Sequence, residues 1–320
     1  MNSSRLHYAY HLDRDYFIPF IEIYQPFYGF AIIPIHFVAF YLLSEHTNNW
    51  VTTIRACYFL NQAIMCAHDV WTCFFFRGYH LLPNPIAICG GLACAWIGPY
   101  NALIIEHLFM VHSIFILLFS LLMMHQQVAK LNSSYVLPNW IKISASVIIY
   151  IGLWANGIVS ILTSGDVPNA QEIIERQQLV WLRDYKHYYL MIFGEVGNCG
   201  PYRYGEQIYV IVATIMVSIP IRALLVGSSV RLLRQHSVLT SRAIRMRKLY
   251  ISVLLRQTTI ISVFYVYPLL LSIVAFRFQI AFLPDWLLAF TRIGAVMSYM
   301  FQSVPQFYVL ISANKSFRDV

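Results

Sequence analysis

Charge is what this chain most lacks. Of its 320 residues only 11% are Asp, Glu, Lys or Arg, while 59% are hydrophobic. Soluble domains carry about 25% charged and about 45–50% apolar residues. A water-soluble globule of this composition would keep an apolar, self-associating surface. An aromatic content of 16% excludes a disordered chain. Lipid is the solvent that remains. Cysteine is also scarce: six residues with no CxxC pair exclude a disulfide scaffold and speak against zinc. There is no HExxH, GxSxG, GxGxxG or Walker sequence to supply a nucleophile, metal or phosphate cradle, so no enzyme, metal or cofactor is expected. No internal repeat supports an inverted-repeat transporter. The first twenty residues lack the basic, apolar and small-residue regions of a cleaved signal peptide, and none is expected. The net charge of +8 does not indicate nucleic acid, because the basic residues sit in short gaps between apolar runs.

Those runs are what the sequence does contain. A membrane helix needs about 20 mostly apolar residues. Seven runs qualify: Glu22–Leu43, Val51–Phe76, Ile86–Met124, Ile141–Leu162, Gln207–Leu233, Leu249–Phe276 and Trp286–Ile311. The third is too long for one straight crossing, since at ~1.5 Å per residue it approaches twice a ~30 Å hydrocarbon core. It reads as a single long tilted helix. The expectation is one all-α, seven-transmembrane-helix domain over 1–320, with an outer tail to about 21, a long second outer loop at about 163–206 and an inner tail from about 312.

Lys and Arg placement orients these spans. The gap between runs five and six holds Arg231, Arg234, Arg242, Arg245, Arg247 and Lys248 and no acid. It reads as cytoplasmic, which puts the N-terminus outside. Asn2 then begins an outer glycosylation sequon, although Asn132 and Asn314 begin sequons on the inner side. Cys89, at the outer start of run three, and Cys199, in the long outer loop, are the expected disulfide. A bridge from Cys89 to Cys94, or no bridge, is the alternative. Cys57, Cys66 and Cys73 read as small packing residues.

Ionisable side chains within apolar runs are costly, and each raises a question of role. Asp69 lies beside His68, and Glu106 beside His107 with His112 after it. Arg222 and Arg292 lie in runs five and seven. Asp69, Glu106 and His107 either line a ligand cavity or form a self-neutralising buried group. Arg292, near an interface, is expected to snorkel. His107 and His112 are on different helix faces, so no metal is expected between them. Pro34, Pro220, Pro268 and Pro305 interrupt runs one, five, six and seven and are candidate bends or hinges, with Tyr308 following in a Pro-x-x-Tyr. Tyr100 and Asn101, in the outer part of run three, and Tyr265 and Tyr267, before the bend at Pro268, are candidate ligand contacts. The alternative for these aromatics is simple packing.

Seven spans, an outer N-terminus, an outer disulfide and a basic inner loop resemble a G-protein-coupled receptor. Local motifs narrow the resemblance. Ile33-Pro34-Ile35-His36 followed by Phe40-Tyr41-Leu42-Leu43 resembles the first helix of nematode serpentine chemoreceptors, and Asp69 fits their second. Val167-Pro168-Asn169-Ala170-Gln171-Glu172 resembles their second outer loop, and His125-Gln126-Gln127-Val128-Ala129 the end of their third helix. Class I is most similar, then class H. The acidic-Arg-aromatic triplet of rhodopsin-like receptors is absent, Met123-Met124-His125-Gln126 standing in its place, and Val304 and Val266 replace the usual Asn and Trp of helices seven and six.

The resemblance implies a chemosensory receptor of the plasma membrane, in a sensory cilium. It would bind a small odorant-like molecule and signal to a heterotrimeric G protein through Arg242, Arg245, Arg247 and Lys248. The rivals are a channel or transporter subunit of seven-helix type, and an intramembrane enzyme.

Overall fold

A computed structural model describes residues 11–46, 52–81, 86–130, 136–163, 174–175, 180–184, 188–192, 204–235, 241–268, 270 and 284–318. The chain is mostly helical. A π turn at Asp13–Phe17 leads into α1, Ile18–His46, which runs through Pro26 and Pro34. Next come α2 at Thr52–Val70, extended by a π segment at Trp71–Phe76, and two strands, β1 at Gly78–His80 and β2 at Ile86–Cys89. The short α3, Leu92–Trp96, precedes the long α4, Pro99–Ala129. They are followed by α5 at Asn139–Thr163, β3 at Tyr189–Ile192 and α6 at Tyr204–Gln235. Last are α7 at Ser241–Ile261, continued by a π segment at Ser262–Val266, α8 at Asp285–Phe301 and α9 at Ser303–Arg318.

The helical content agrees with the all-α expectation, and a small sheet is added to it: β1, β2 and β3 form an antiparallel sheet in that order, pairing Tyr79 with Ile88 and Ile88 with Leu190. One expectation is corrected: the third apolar run is not one helix. Its first residues, Ile86–Cys89, are strand β2, and two breaks separate them from α4. Gly90-Gly91 is the first; a Cβ on Gly91 would collide with the Phe75 carbonyl, so only glycine lets the backbones approach this closely. Gly98-Pro99 is the second. Gly98 has φ +85°, a conformation that costs glycine little, and Pro99 occupies the first turn of α4, where its missing N–H is not needed.

The helices surround α4, which packs against α2, α5, α6 and α7; α1 packs against α2 and α9, and α9 against α7. The inner core draws on Leu43, Ile54, Leu117, Leu121, Met124, Leu233, Leu254 and Leu310. An outer core joins Ile18, Ile32, Tyr79, Ile86, Ile88, Leu182 and Met300 beneath the sheet. Among the described residues two helices are long and apolar enough to cross a membrane, Asp13–Glu45 and Pro99–Ala129.

The outward faces are as apolar as the core. On α1, Ile23, Phe27, Phe30 and Phe37 are 76%, 71%, 69% and 71% exposed, whereas Gln25 and His36 are buried. Those exposed residues recur at helical spacing, so they form one stripe. On α5, Trp140, Ile143, Ile148 and Ile151 form a second apolar exposed surface. A helix that buries its polar residues and exposes its phenylalanines is arranged for an apolar solvent.

Candidate functional site

Asp69 lies two residues before the π segment that extends α2, and His36 in the middle of α1. The fold brings them together. His36 Nε2 lies 2.8 Å from Asp69 Oδ2, and both side chains are buried. Gln62 Nε2 donates to His36 Nδ1 at 2.7 Å, which leaves the His36 Nε2–H to donate to the carboxylate. On the other side, His68 Nδ1 lies 3.4 Å from Asp69 Oδ1 and 3.3 Å from Gln302 Nε2. Thr72 Oγ1 is 3.3 Å from His68 Nε2. Gln302 Nε2 also meets Met110 Sδ at 3.6 Å. One polar group thus joins α1, α2, α4 and the break between α8 and α9.

The tautomer of His68 decides which of these bonds it makes. With its proton on Nδ1, His68 donates to Asp69 and its Nε2 accepts from Thr72. With Nδ1 bare, it accepts from Gln302 instead. Gln302 is positioned for this by Pro305. Pro305 has no N–H for the carbonyl four residues earlier, and the helix is divided into α8 and α9 at Gln302, whose own backbone keeps helical angles (φ −58°, ψ −31°).

A second buried cluster sits under the sheet. Arg292 Nη2 donates to Asp13 Oδ2 at 2.6 Å and Nε to Asp13 Oδ1 at 3.2 Å, and the Tyr79 hydroxyl donates to Asp13 Oδ1. Neither Arg292 nor Asp13 exposes any side-chain surface. The snorkelling expected of Arg292 is therefore corrected: it points inward because the π turn before α1 delivers a carboxylate to it. Burial pushes the Tyr79 phenol well above its usual range, and the adjacent Asp13 charge adds to this, so it stays a donor. On the same strand, burial pushes the His80 imidazole down to about 4, with His107 adding to the effect.

The disulfide is corrected as well. Cys89 is bonded to Cys94, a bridge that closes the turn between β2 and α3 rather than pinning the outer loop. Cys199 and the sequon residue Asn2 lie outside the described residues.

Of the remaining candidates, Glu106 is buried on α4 and His107 turns its Nδ1 to the Leu103 carbonyl at 2.9 Å. His112 Nδ1 donates to the Leu108 carbonyl at 2.6 Å, and its Nε2 accepts from the Tyr150 hydroxyl at 3.0 Å, so it faces α5. Among the described residues no cluster of three His, Cys, Asp or Glu could hold a metal. Tyr100 packs beside Cys89, Cys94 and Leu103, while Asn101 is exposed and donates to the Ile97 carbonyl at 2.7 Å. Tyr267 is exposed, and the side chain of Tyr265, in the π segment, lies outside the described residues.

Pro220 is inside α6, and Pro268 follows the π segment of α7, where the Tyr267 N–H bonds the Ser262 carbonyl. Arg222 joins these two bends, donating to Ser218 Oγ at 2.7 Å and Ser262 Oγ at 3.3 Å. Tyr308 is exposed on α9. Arg242, Arg245, Arg247 and Lys248 fall in the first turns of α7; Lys248 is exposed, and the other three side chains lie outside the described residues.

Sequence reasoning found Asp69, His68, Glu106 and Arg292 by their charge in apolar runs. It missed Gln62, Thr72 and Gln302, uncharged residues whose role appears only when three helices meet, and Asp13, which reads as part of a polar tail. Compared with known proteins, the chain matches no protein-family model and no curated protein.

Proposed function

We propose that the chain is a seven-helix membrane receptor of the nematode serpentine chemoreceptor type. In this reading it has its N-terminus outside, binds a small external chemical and signals to a heterotrimeric G protein. The observation that carries this reading is the buried His36–Asp69–His68–Gln302 group. A polar cluster deep among lipid-facing helices is expensive, and a functional role is its default explanation. In this cluster His68 bonds either Asp69 or Gln302 according to its tautomer, an alternative that links α2 to the α8–α9 break. A receptor needs such a two-state element, whose balance a ligand can shift. Pro305 lies three residues from Gln302, and the prolines at 220 and 268, whose segments Arg222 bridges, supply further hinges. The acid-free cluster of basic residues at the end of α6 and the start of α7 supports an inner face for a partner.

The test is a screen of the expressed chain against small volatile and water-soluble molecules with a second-messenger readout. The receptor reading expects a response that disappears when the G protein is inactivated. A ligand-evoked ionic current that persists without G protein would overturn it in favour of a channel subunit.

A further inference from the structure

The pair His125-Gln126 at the inner end of α4 belongs to neither buried polar cluster, yet each of its side chains reaches a different neighbour. Gln126 is buried, and its Oε1 accepts from the Leu137 backbone N–H at 2.9 Å, two residues before α5 begins. His125 is half-buried and turns to α6. Its Nδ1 lies 3.1 Å from Ser229 Oγ and 3.3 Å from Ser228 Oγ. The end of α4 thus holds α6 with one residue and the entry of α5 with the next.

The two arms differ in what is lost when they open. Both serine hydroxyls donate to carbonyls of their own helix, Ser228 to Leu224 at 2.7 Å and Ser229 to Leu225 at 2.6 Å. A hydroxyl has one hydrogen, so towards His125 the serines are acceptors and Nδ1 carries the proton. When α6 moves away, both hydroxyls keep their intrahelical bonds, and no donor on α6 is orphaned. The half-buried imidazole takes water in their place. Opening the Gln126 arm would instead leave a buried amide oxygen and a backbone N–H without partners. One arm is built to stay and the other to release.

The releasable arm sits beside the proposed partner surface. Ser229 stands two residues before Arg231, the first of the basic residues that close α6 and open α7. We propose that His125 is a releasable clamp between the inner ends of α4 and α6, with Gln126 as its fixed footing. Closed, the clamp holds α6 against α4; open, it frees that end of α6 for a partner. The regulatory role rests on the receptor reading, whereas the clamp rests on the bonds alone. One neutral hydrogen bond shifts an equilibrium by about two- to tenfold, a contact that a ligand can afford to break.

Hydrogen–deuterium exchange of the full chain purified in detergent reads the clamp without a G protein. His125→Ala should speed exchange of the amides over 225–235, the inner end of α6, by about two- to tenfold. His125→Asn, whose side-chain nitrogen takes the place of Nδ1, should change it less. Gln126→Leu should lower the melting temperature more than His125→Ala does. In cells at equal surface level, His125→Ala should raise the basal second-messenger level by about two- to tenfold. Unchanged exchange in His125→Ala, or a melting temperature lowered as far by His125→Ala as by Gln126→Leu, would overturn the clamp. Faster exchange with an unchanged basal level, in a chain that still answers a ligand, would overturn its regulatory role. Faster exchange in a chain that evokes no second messenger at all would overturn the receptor reading and leave the clamp standing.

Discussion

Arg292 and Asp13 are 279 residues apart in sequence and bonded through two hydrogen bonds in the fold. Breaking a buried pair from one side strands the other charge, at about 3–5 kcal/mol. Arg292→Gln should therefore lower the melting temperature of the purified protein sharply. The double variant Asp13→Asn with Arg292→Gln should recover part of the loss, because no charge is left stranded. Additive losses would show that the two side chains are not partners. Gln302 tests the other cluster. Gln302→Leu removes the amide that competes with Asp69 for His68, so on the proposed receptor reading it should bias the chain towards one state. The expected result is a changed basal second-messenger level at equal surface expression; an unchanged level would remove Gln302 from the mechanism. The charges at both clusters were legible in the sequence, because they stand out against apolar neighbours. Their pairings were not, since nothing local to Asp13 or Gln302 announces a partner on another helix.

Among the elements, the first, second, fourth and fifth runs read from the sequence match observed helical segments to within several residues, because long apolar stretches leave the backbone few other ways to bond itself; the sixth overlaps α7 but ends outside the described residues, and the seventh is divided into α8 and α9. The third run failed for a physical reason. Ile86–Cys89 is as apolar as the helix that follows it, and hydrophobicity alone does not separate a buried strand from a helix. The glycines at 90–91 and the Gly98-Pro99 pair were the deciding signals. The sheet edge makes two predictions. Cys89→Ser and Cys94→Ser should each destabilise the fold to a similar degree, and the double variant should be no worse; peptide mapping without reduction should recover residues 89 and 94 in one linked fragment. His80 gives a pH dependence. Its folded value, about 4, lies below its ordinary 6.5, so between these values the unfolded chain takes up a proton that the folded chain refuses. Stability should be flat with respect to this group above about 6.5 and fall as the pH drops towards 4. His80→Phe should flatten that part of the melting-temperature profile.

At the scale of the whole molecule, the exposed phenylalanine stripe of α1 and the apolar outer face of α5 describe a surface that water would not tolerate. The composition had already required this, so the solvent was legible before any element was placed. The proposed orientation rests on Arg231, Arg234, Arg242, Arg245, Arg247 and Lys248. In that reading much of this charge would hold its segment on the cytoplasmic side, at about 1 kcal/mol per residue near anionic lipid. Neutralising Arg242 and Arg245 together leaves enough charge for orientation. It should spare ligand binding and lower second-messenger output at equal surface level. Unchanged output would reduce the cluster to a topology signal. The most direct measurement of the central claim is the accessibility of tags at the two ends of the chain in living cells. A receptor of this architecture shows its N-terminal tag on intact cells and its C-terminal tag only after the membrane is permeabilised. An N-terminal tag hidden until permeabilisation, or both tags on one side, would contradict the account.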